Sequence, residues 1–289
     1  MKETEWIFLL KNKTIAFLGA GNMAEAMISG TVQSEKIAKD QIIVSNRSNK
    51  EKLQEINEKY GVRTLLKDQL PFSEIDILIL AMKPKDIDKA LDSINHLVKS
   101  DTVIMSVLAG ITTSHMEEQL PGGQSVIRVM PNTSSMLKES ATAISAGRFT
   151  SEEDMMNAKE LLSSIGEVYV IDESKMDIFT GIAGSGPAYF YYLMEHIEKT
   201  GAEAGLDPQM ARKIGAQTIF GAAKMMLERE ETPTQLRENV TSPNGTTAAG
   251  LDALAQFGGG KAISEAVKGA EKRSKEISSE LQSRQLVTN

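Results

Sequence analysis

Cysteine is absent from the 289 residues. Its absence excludes a disulfide framework, a thiolate nucleophile and any cysteine-based zinc or iron–sulfur centre, and a reducing compartment fits. Also missing is any apolar run near the roughly twenty residues that a bilayer-spanning helix requires. The N-terminal patch at residues 6–10 follows acidic residues and has no small-residue cleavage site, so it is too short for a span or a secretion signal. The chain is therefore expected to be soluble and cytoplasmic. A basic excess is lacking too: the net charge is −7 and the pI about 5.2. That argues against nucleic acid or an anionic membrane as the main partner, while a small anionic ligand needs only local positive potential. The three histidines, His96, His115 and His196, fall in helical patterns and share no metal or triad spacing, so no metal site is expected. There is no internal repeat and no low-complexity tract.

What is present is length for two domains and a change of pattern near Asp172. Before it, short β-branched runs alternate with amphipathic stretches, the pattern of a parallel sheet with helices on its faces. TIAFL, QIIVS, DILILA, TVIMSV, SVIRVM, ATAISAG and EVYVID are the strand candidates; SEEDMMNAKELLSSIG reads as a helix with a Ser cap and early acids. From 173 onward everything reads as helix, rich in Ala, Met and Leu on repeating faces. Such a block either packs against a second copy or forms an intramolecular bundle.

The first strand candidate runs into GAGNMA, where Gly19, Gly21 and Ala24 fall at the positions of a dinucleotide fingerprint. Gly19 serves the tight turn, Gly21 the approach of a pyrophosphate, and Ala24 the packing of helix on strand. Asn22 and Met23 open the helix and join the expected cofactor contact. The end of the second strand discriminates between nicotinamide cofactors. An NAD site places a carboxylate there for the ribose 2′-hydroxyl, whereas a 2′-phosphate requires its absence and a nearby cation. Ser45, Asn46, Arg47 and Ser48 supply donors and one guanidinium with no acid before Glu51. NADPH is the expected cofactor, with NADH as the alternative. In a doubly wound sheet the carboxyl ends of the strands line the ligand crevice. Ala81, Met82, Lys83 and Pro84 after the third candidate, and Ala109 and Gly110 after the fourth, are expected to border the cofactor. MPN, residues 130–132, takes the matching place after the fifth.

A second segment stands out by lacking charge in a chain that is one quarter charged: VTSPNGTTAAGL, residues 240–251. Thr241, Ser242, Thr246 and Thr247 crowd around Pro243 and Gly245, then give way to helix formers. This reads as a loop feeding a helix N-terminus, which either caps itself or holds an anion. No histidine is placed as a strong proton donor, which suits a substrate that arrives already protonated on nitrogen.

Together GAGNMA, SNR, LAMKP, MPNT, GSGPAYF and TSPNGTTAAGL resemble the pyrroline-5-carboxylate reductases, over nearly all of the chain. GSGPAY at 184–189 and TSPNGTT at 241–247 are the most specific parts. The resemblance implies an α/β fold: an N-terminal Rossmann-like, doubly wound parallel sheet over 1–172, followed by an all-helical dimerisation and substrate-binding domain over 173–289. It implies a homodimer through the C-terminal helices that assembles further, to decamers, and an active site partly supplied by the dimer mate. The implied reaction is hydride transfer from NAD(P)H to the C=N carbon of 1-pyrroline-5-carboxylate, giving L-proline, the last step of proline biosynthesis. By the same match Ser242, Asn244, Gly245, Thr246 and Thr247 bind the substrate, Thr247 reaches the ring nitrogen, and Glu230 lies near that site. Where the family usually has a Gly pair, this loop has Asn244 and Gly245; Asn is next best able to take a positive φ. Related two-domain β-hydroxyacid dehydrogenases carry a catalytic Lys or Asp where this chain has GSGPAY.

Overall fold

The computed structural model describes residues 10–288, the last eight of these as backbone only. All of the 6–10 patch except Leu10 thus lies outside the described residues. The chain divides into two compact units, one running to Gly184 and resuming at Gly269, the other Ser185–Lys268.

The first unit is built on eight strands: β1 Ile15–Leu18, β2 Ile42–Asn46, β3 Arg63–Leu66, β4 Ile77–Leu80, β5 Val103–Ser106, β6 Val126–Met130, β7 Ser140–Ala146 and β8 Gly166–Val170. Their order is β3-β2-β1-β4-β5-β6-β7-β8. The order reverses between β1 and β4, the topological switch point where ligands bind in such sheets. Two features correct the sequence expectation of a parallel sheet of seven strands. β7 runs antiparallel to β6, with Met130 opposite Ala143, and β8 follows β7 in parallel. β3, whose residues are largely half-exposed at the sheet edge, pairs with β2; its RTLL run opens on a charge and merges into Lys67 and Asp68, so no clean alternation marks it.

Helices α1 Asn22–Ser34, α2 Lys50–Tyr60, α3 Ile87–Ile94, α4 Thr113–Glu117 and α5 Glu152–Leu162 connect the strands. β1, β2, β4 and β5 are buried throughout apart from half-buried Asn46, which is why they read as near-continuous β-branched runs. Successive residues point to opposite faces: Phe17 and Ile79 belong to one core cluster, Leu18 and Leu80 to the other. α5 is capped as its sequence foretold, Ser151 Oγ accepting from Asp154 N at 3.1 Å. His96 lies in a turn beyond the end of α3 rather than inside it.

Beyond β8 come α6 Met176–Phe179 and a π-helical turn, Thr180–Gly184. Arg128 of β6 and Asn132 just beyond it hold this segment. Arg128, 4% exposed, pairs with Glu173 at 3.3 Å and lies 3.7 Å from Asp177. Asn132 donates to the Ala183 carbonyl at 3.1 Å. Glu173 also accepts from Thr113 N and Oγ1, and Asp177 accepts from Ser274 Oγ at 2.7 Å.

The second unit contains α7 Gly186–Glu203, α8 Pro208–Glu228, α9 Pro233–Asn239, α10 Thr246–Gln256 and the first part of α11 Gly259–Thr288. α7 and α8 pack closely where glycines remove side chains: a Cβ on Gly201 would lie 3.0 Å from Ala211 Cβ, and one on Gly215 would overlap Met194. Arg212 and Glu198 add a two-pronged ion pair at 2.7 and 2.9 Å. Large apolar residues remain uncovered, among them Phe190, Tyr192, Ile214, Phe220 and Leu254. No described helix is long and apolar enough to cross a membrane.

Candidate active site

The expected cofactor residues gather at the switch point of the first unit. β1 ends at Leu18 and Gly19 takes φ +127, which an L side chain rarely adopts. A Cβ there would overlap the Ala81 carbonyl and lie 2.8 Å from Met82 N. The bare α-carbon thus lets the turn after β1 press against the segment after β4, and Ala81 N donates to Leu18 O at 3.0 Å. Gly21 is the N-cap of α1, makes no side-chain cap, and has nothing within 4 Å of where a Cβ would stand. The first intrahelical bond runs from Glu25 N to Gly21 O at 2.9 Å. The N–H groups of Asn22, Met23 and Ala24 precede it at the positive end of a 13-residue helix. Asn22 is exposed, Met23 half-buried and Ala24 buried against β1.

Ser45 O accepts from Gly19 N at 2.8 Å, joining the ends of β2 and β1. Ser45 itself is fully buried and its Oγ has no partner. Asn46 spends its amide on the loop: Oδ1 accepts from Asn49 N and Nδ2 donates to Asn49 O, each at 2.8 Å. It shapes the turn, a role the sequence did not reveal. Arg47 and Ser48 between them are exposed, and Arg47 has no acidic partner among the described residues. Lys83 is exposed, Pro84 opens a 3-10 turn, and Ala81 and Met82 are half-buried.

Ala109 is half-buried after β5. Gly110 is placed differently from expectation. At φ +77, its Cβ would lie 2.6 Å from Ile277 Cγ2 and 3.1 Å from Ser278 N. The glycine makes room for the returning C-terminal helix, and its α-carbon faces protein. Sequence periodicity could not find this contact, because Ser274 and Ile277 are isolated in a charged run.

An orphaned buried hydroxyl, an open α-carbon at a helix N-cap and an unpaired guanidinium with no carboxylate before Glu51 fit a dinucleotide carrying a 2′-phosphate. Among the described residues no cluster of three or more potential ligands could hold a metal.

In the second unit, residues 242–247 form one turn. Gly245 N donates to Ser242 O at 3.0 Å, and Asn244 sits in the left-handed region at φ 58. Asn therefore takes the conformation that a Gly would supply. Gly245 is the N-cap of α10 and no side chain caps the helix, so the self-capping alternative does not hold. A Cβ on Gly245 would crowd Ser242 Oγ and lie 3.1 Å from Ser242 O. The N–H groups of Thr246, Thr247 and Ala248 precede the first intrahelical bond, Ala249 N to Gly245 O. Ser242, Thr246 and Thr247 are exposed. Thr241 differs: its hydroxyl donates to Arg237 O at 2.6 Å. Glu230 is exposed on the connection between α8 and α9.

Sequence reasoning passed over Glu25. It accepts from Lys52 and Lys59 at 2.8 Å each and from Tyr60 Oη at 3.0 Å. Those donors, Lys52 first, hold its carboxyl at about 2 against an ordinary 4.5. The i, i+7 spacing of Lys52 and Lys59 on α2 was the available signal.

A mostly parallel sheet with a glycine-opened, uncapped helix at its switch point, followed by helices with uncovered apolar faces, defines a dinucleotide-dependent oxidoreductase of two units. Residues 173–277 match the family model described as pyrroline-5-carboxylate reductase dimerisation, and residues 14–110 match that described as NADP oxidoreductase, coenzyme F420-dependent. The chain is 58% identical over 278 residues to pyrroline-5-carboxylate reductase 1 of Bacillus subtilis, covering 96% of this chain and 94% of the relative. It is 43% identical to pyrroline-5-carboxylate reductase 2 of the same organism, covering 92% and 95%. Among solved structures it resembles the Plasmodium falciparum pyrroline carboxylate reductase with NADP bound, at TM-score 0.85 and 26% identity over 93% of this chain and 99% of that one. The Coxiella burnetii pyrroline-5-carboxylate reductase follows at TM-score 0.83 and 30% identity, covering 93% and 99%. The chain belongs to the pyrroline-5-carboxylate reductase family.

Proposed function

We propose that this protein reduces the C=N bond of 1-pyrroline-5-carboxylate to L-proline with NADPH, the last step of proline biosynthesis. The observation that carries the reading is the residues 242–247 turn, uncapped and held in shape by Asn244 at φ 58, in a chain 58% identical to a pyrroline-5-carboxylate reductase. When bound, the nicotinamide supplies the hydride; the chain's own residues bind, orient and position. The N–H groups of Thr246 and Thr247, with the Ser242 and Thr246 hydroxyls, take the substrate carboxylate at the positive end of α10. Thr247 Oγ1 hydrogen-bonds the ring nitrogen. A Thr hydroxyl has no useful pKa for donating a proton outright, so Thr247 orients a protonated imine or relays through water; Glu230 supports that site from the α8–α9 connection. Holding an already electrophilic cyclic iminium in place is the chief requirement, and this agrees with the lack of a His, Lys or Tyr in the loop.

For the cofactor, Gly19, Gly21, Asn22 and Met23 cradle the pyrophosphate, while Arg47 takes the 2′-phosphate from a loop that buried Ser45 and the Asn46 amide hold in shape. Ala81, Met82, Lys83, Pro84 and Ala109 frame the rest, and Gly110 instead seats the C-terminal helix behind them. In functional terms the chain divides into residues 1–172, which bind cofactor, and 173–289, which bind substrate and dimerise. The enzyme works in the cytoplasm, and its dimers assemble further to decamers.

The test is NADPH absorbance with purified protein and pyrroline-5-carboxylate. Oxidation is expected, and Thr247→Ala should cut kcat by about 10²-fold, the scale of one positioned proton-handling group, with the Kd for NADPH unchanged. No oxidation by protein with cofactor bound would overturn the reading, and an unaltered Thr247→Ala rate would remove that residue from the mechanism.

A further inference from the structure

The β2–α2 loop is held by a continuous chain of hydrogen bonds. Asn46 closes it through two bonds to Asn49. Asn49 Oδ1 accepts from Lys52 N at 2.9 Å and so caps α2. The Lys52 ammonium then reaches Glu25 Oε2 at 2.8 Å and Glu55 Oε2 at 3.0 Å. Glu25 is the fourth residue of α1, the helix that opens at Gly21. Its side chain is 14% exposed and that of Lys52 26%, so solvent screens this pair less than an exposed one. The same carboxylate is anchored a second time by Lys59 and Tyr60 from the far end of α2. Inside this frame the side chains of the exposed pair Arg47 and Ser48 make no hydrogen bond or ion pair among the described residues.

We propose that Glu25 and Lys52 are positioning residues for cofactor discrimination: their ion pair ties the loop that carries Arg47 to the helix of the glycine turn, and so sets the affinity for the cofactor's 2′-phosphate. This rests on the reading that Arg47 holds that phosphate. The glycine turn is fixed independently, by Ala81 and by Gly19 N to Ser45 O, so loosening the loop affects the 2′-phosphate and spares the remainder of the nucleotide. A loop that spends only a tenth of its time in the binding-competent shape loses affinity about tenfold.

The experiment is calorimetric titration of the full-length protein with adenosine 2′,5′-bisphosphate and with 5′-AMP, for wild type, Lys52→Met, Glu25→Gln, Lys52→Arg and Arg47→Ala. Both Lys52→Met and Glu25→Gln should weaken the bisphosphate about tenfold while leaving AMP within about twofold, and Lys52→Arg should restore binding. Glu25→Gln separates positioning from charge, since it leaves the Lys52 ammonium in place, paired with Glu55 alone. Tighter or unchanged bisphosphate binding by Glu25→Gln, or equal losses for both nucleotides, would overturn the proposal. If Arg47→Ala keeps wild-type preference for the bisphosphate, the 2′-phosphate reading itself fails. If Arg47→Ala loses that preference while the Glu25 and Lys52 variants retain it, only the positioning role fails.

Discussion

Asn244 is the residue on which the substrate turn depends. At φ 58 it occupies a region that costs most L-residues roughly 1–2 kcal/mol and that Asn and Gly tolerate. A β-branched residue is worst suited to it. Asn244→Val should therefore raise the KM for pyrroline-5-carboxylate by about tenfold, the equivalent of 1.4 kcal/mol, with NADPH affinity unchanged, whereas Asn244→Gly should leave both near wild type. Steady-state kinetics checks this, and an unaltered KM in the Val variant would mean that the turn does not hold the substrate. The need for a positive φ was legible through the resemblance, because Asn244 stands where the family usually has the first of a Gly pair. The work of Asn46 and Gly110 was not. Asn46 is one of several donors in a polar run, and only the fold shows its amide closing a loop; Gly110 answers to Ile277, which is distant in sequence.

Among the elements, the α1–α2 pair carries the clearest pH signature. Glu25 titrates at about 2 in the folded chain against 4.5 unperturbed. A carboxyl with a depressed folded value contributes stability that is fully present above its unfolded pKa and is lost as pH falls through the folded one. The contribution of Glu25 should thus be intact above pH 4.5 and decline between 4.5 and 2. Glu25→Gln should flatten the acid limb of a stability-against-pH curve measured by urea unfolding; an identical limb would contradict the assignment. Elements with long, regular patterns were readable in advance: the buried strands and the helices from α7 onward. β3 was missed because it is short and charged at its start, and the direction of β7 because alternation is the same in either sense. The π turn was hidden inside a helical pattern, since Ala183 is held by Asn132, which follows a strand distant in sequence. Arg128 lies within the strand candidate SVIRVM, and its buried pairing with Glu173 explains the charge there.

For the whole molecule, composition excluded more than it identified; the two ligand-ready helix starts, one in each unit, carry the functional account. The dimerisation segment, residues 173–277, contains most of the large apolar residues left uncovered, and exposed apolar patches of this kind mark interaction sites. Phe220 on α8 is 62% exposed. A carboxylate there would be buried without a partner in a homo-oligomer, so Phe220→Glu should shift sedimentation toward the single chain and lower the melting temperature. A variant that sediments as the wild type does would place the interface elsewhere. The central claim, that this chain delivers hydride to a cyclic imine, is tested most directly by turnover of pyrroline-5-carboxylate with NADPH deuterated at the transferable position. Mass spectrometry of the product should show proline carrying one deuterium at the former imine carbon, and proline without deuterium, or no proline at all, would contradict it.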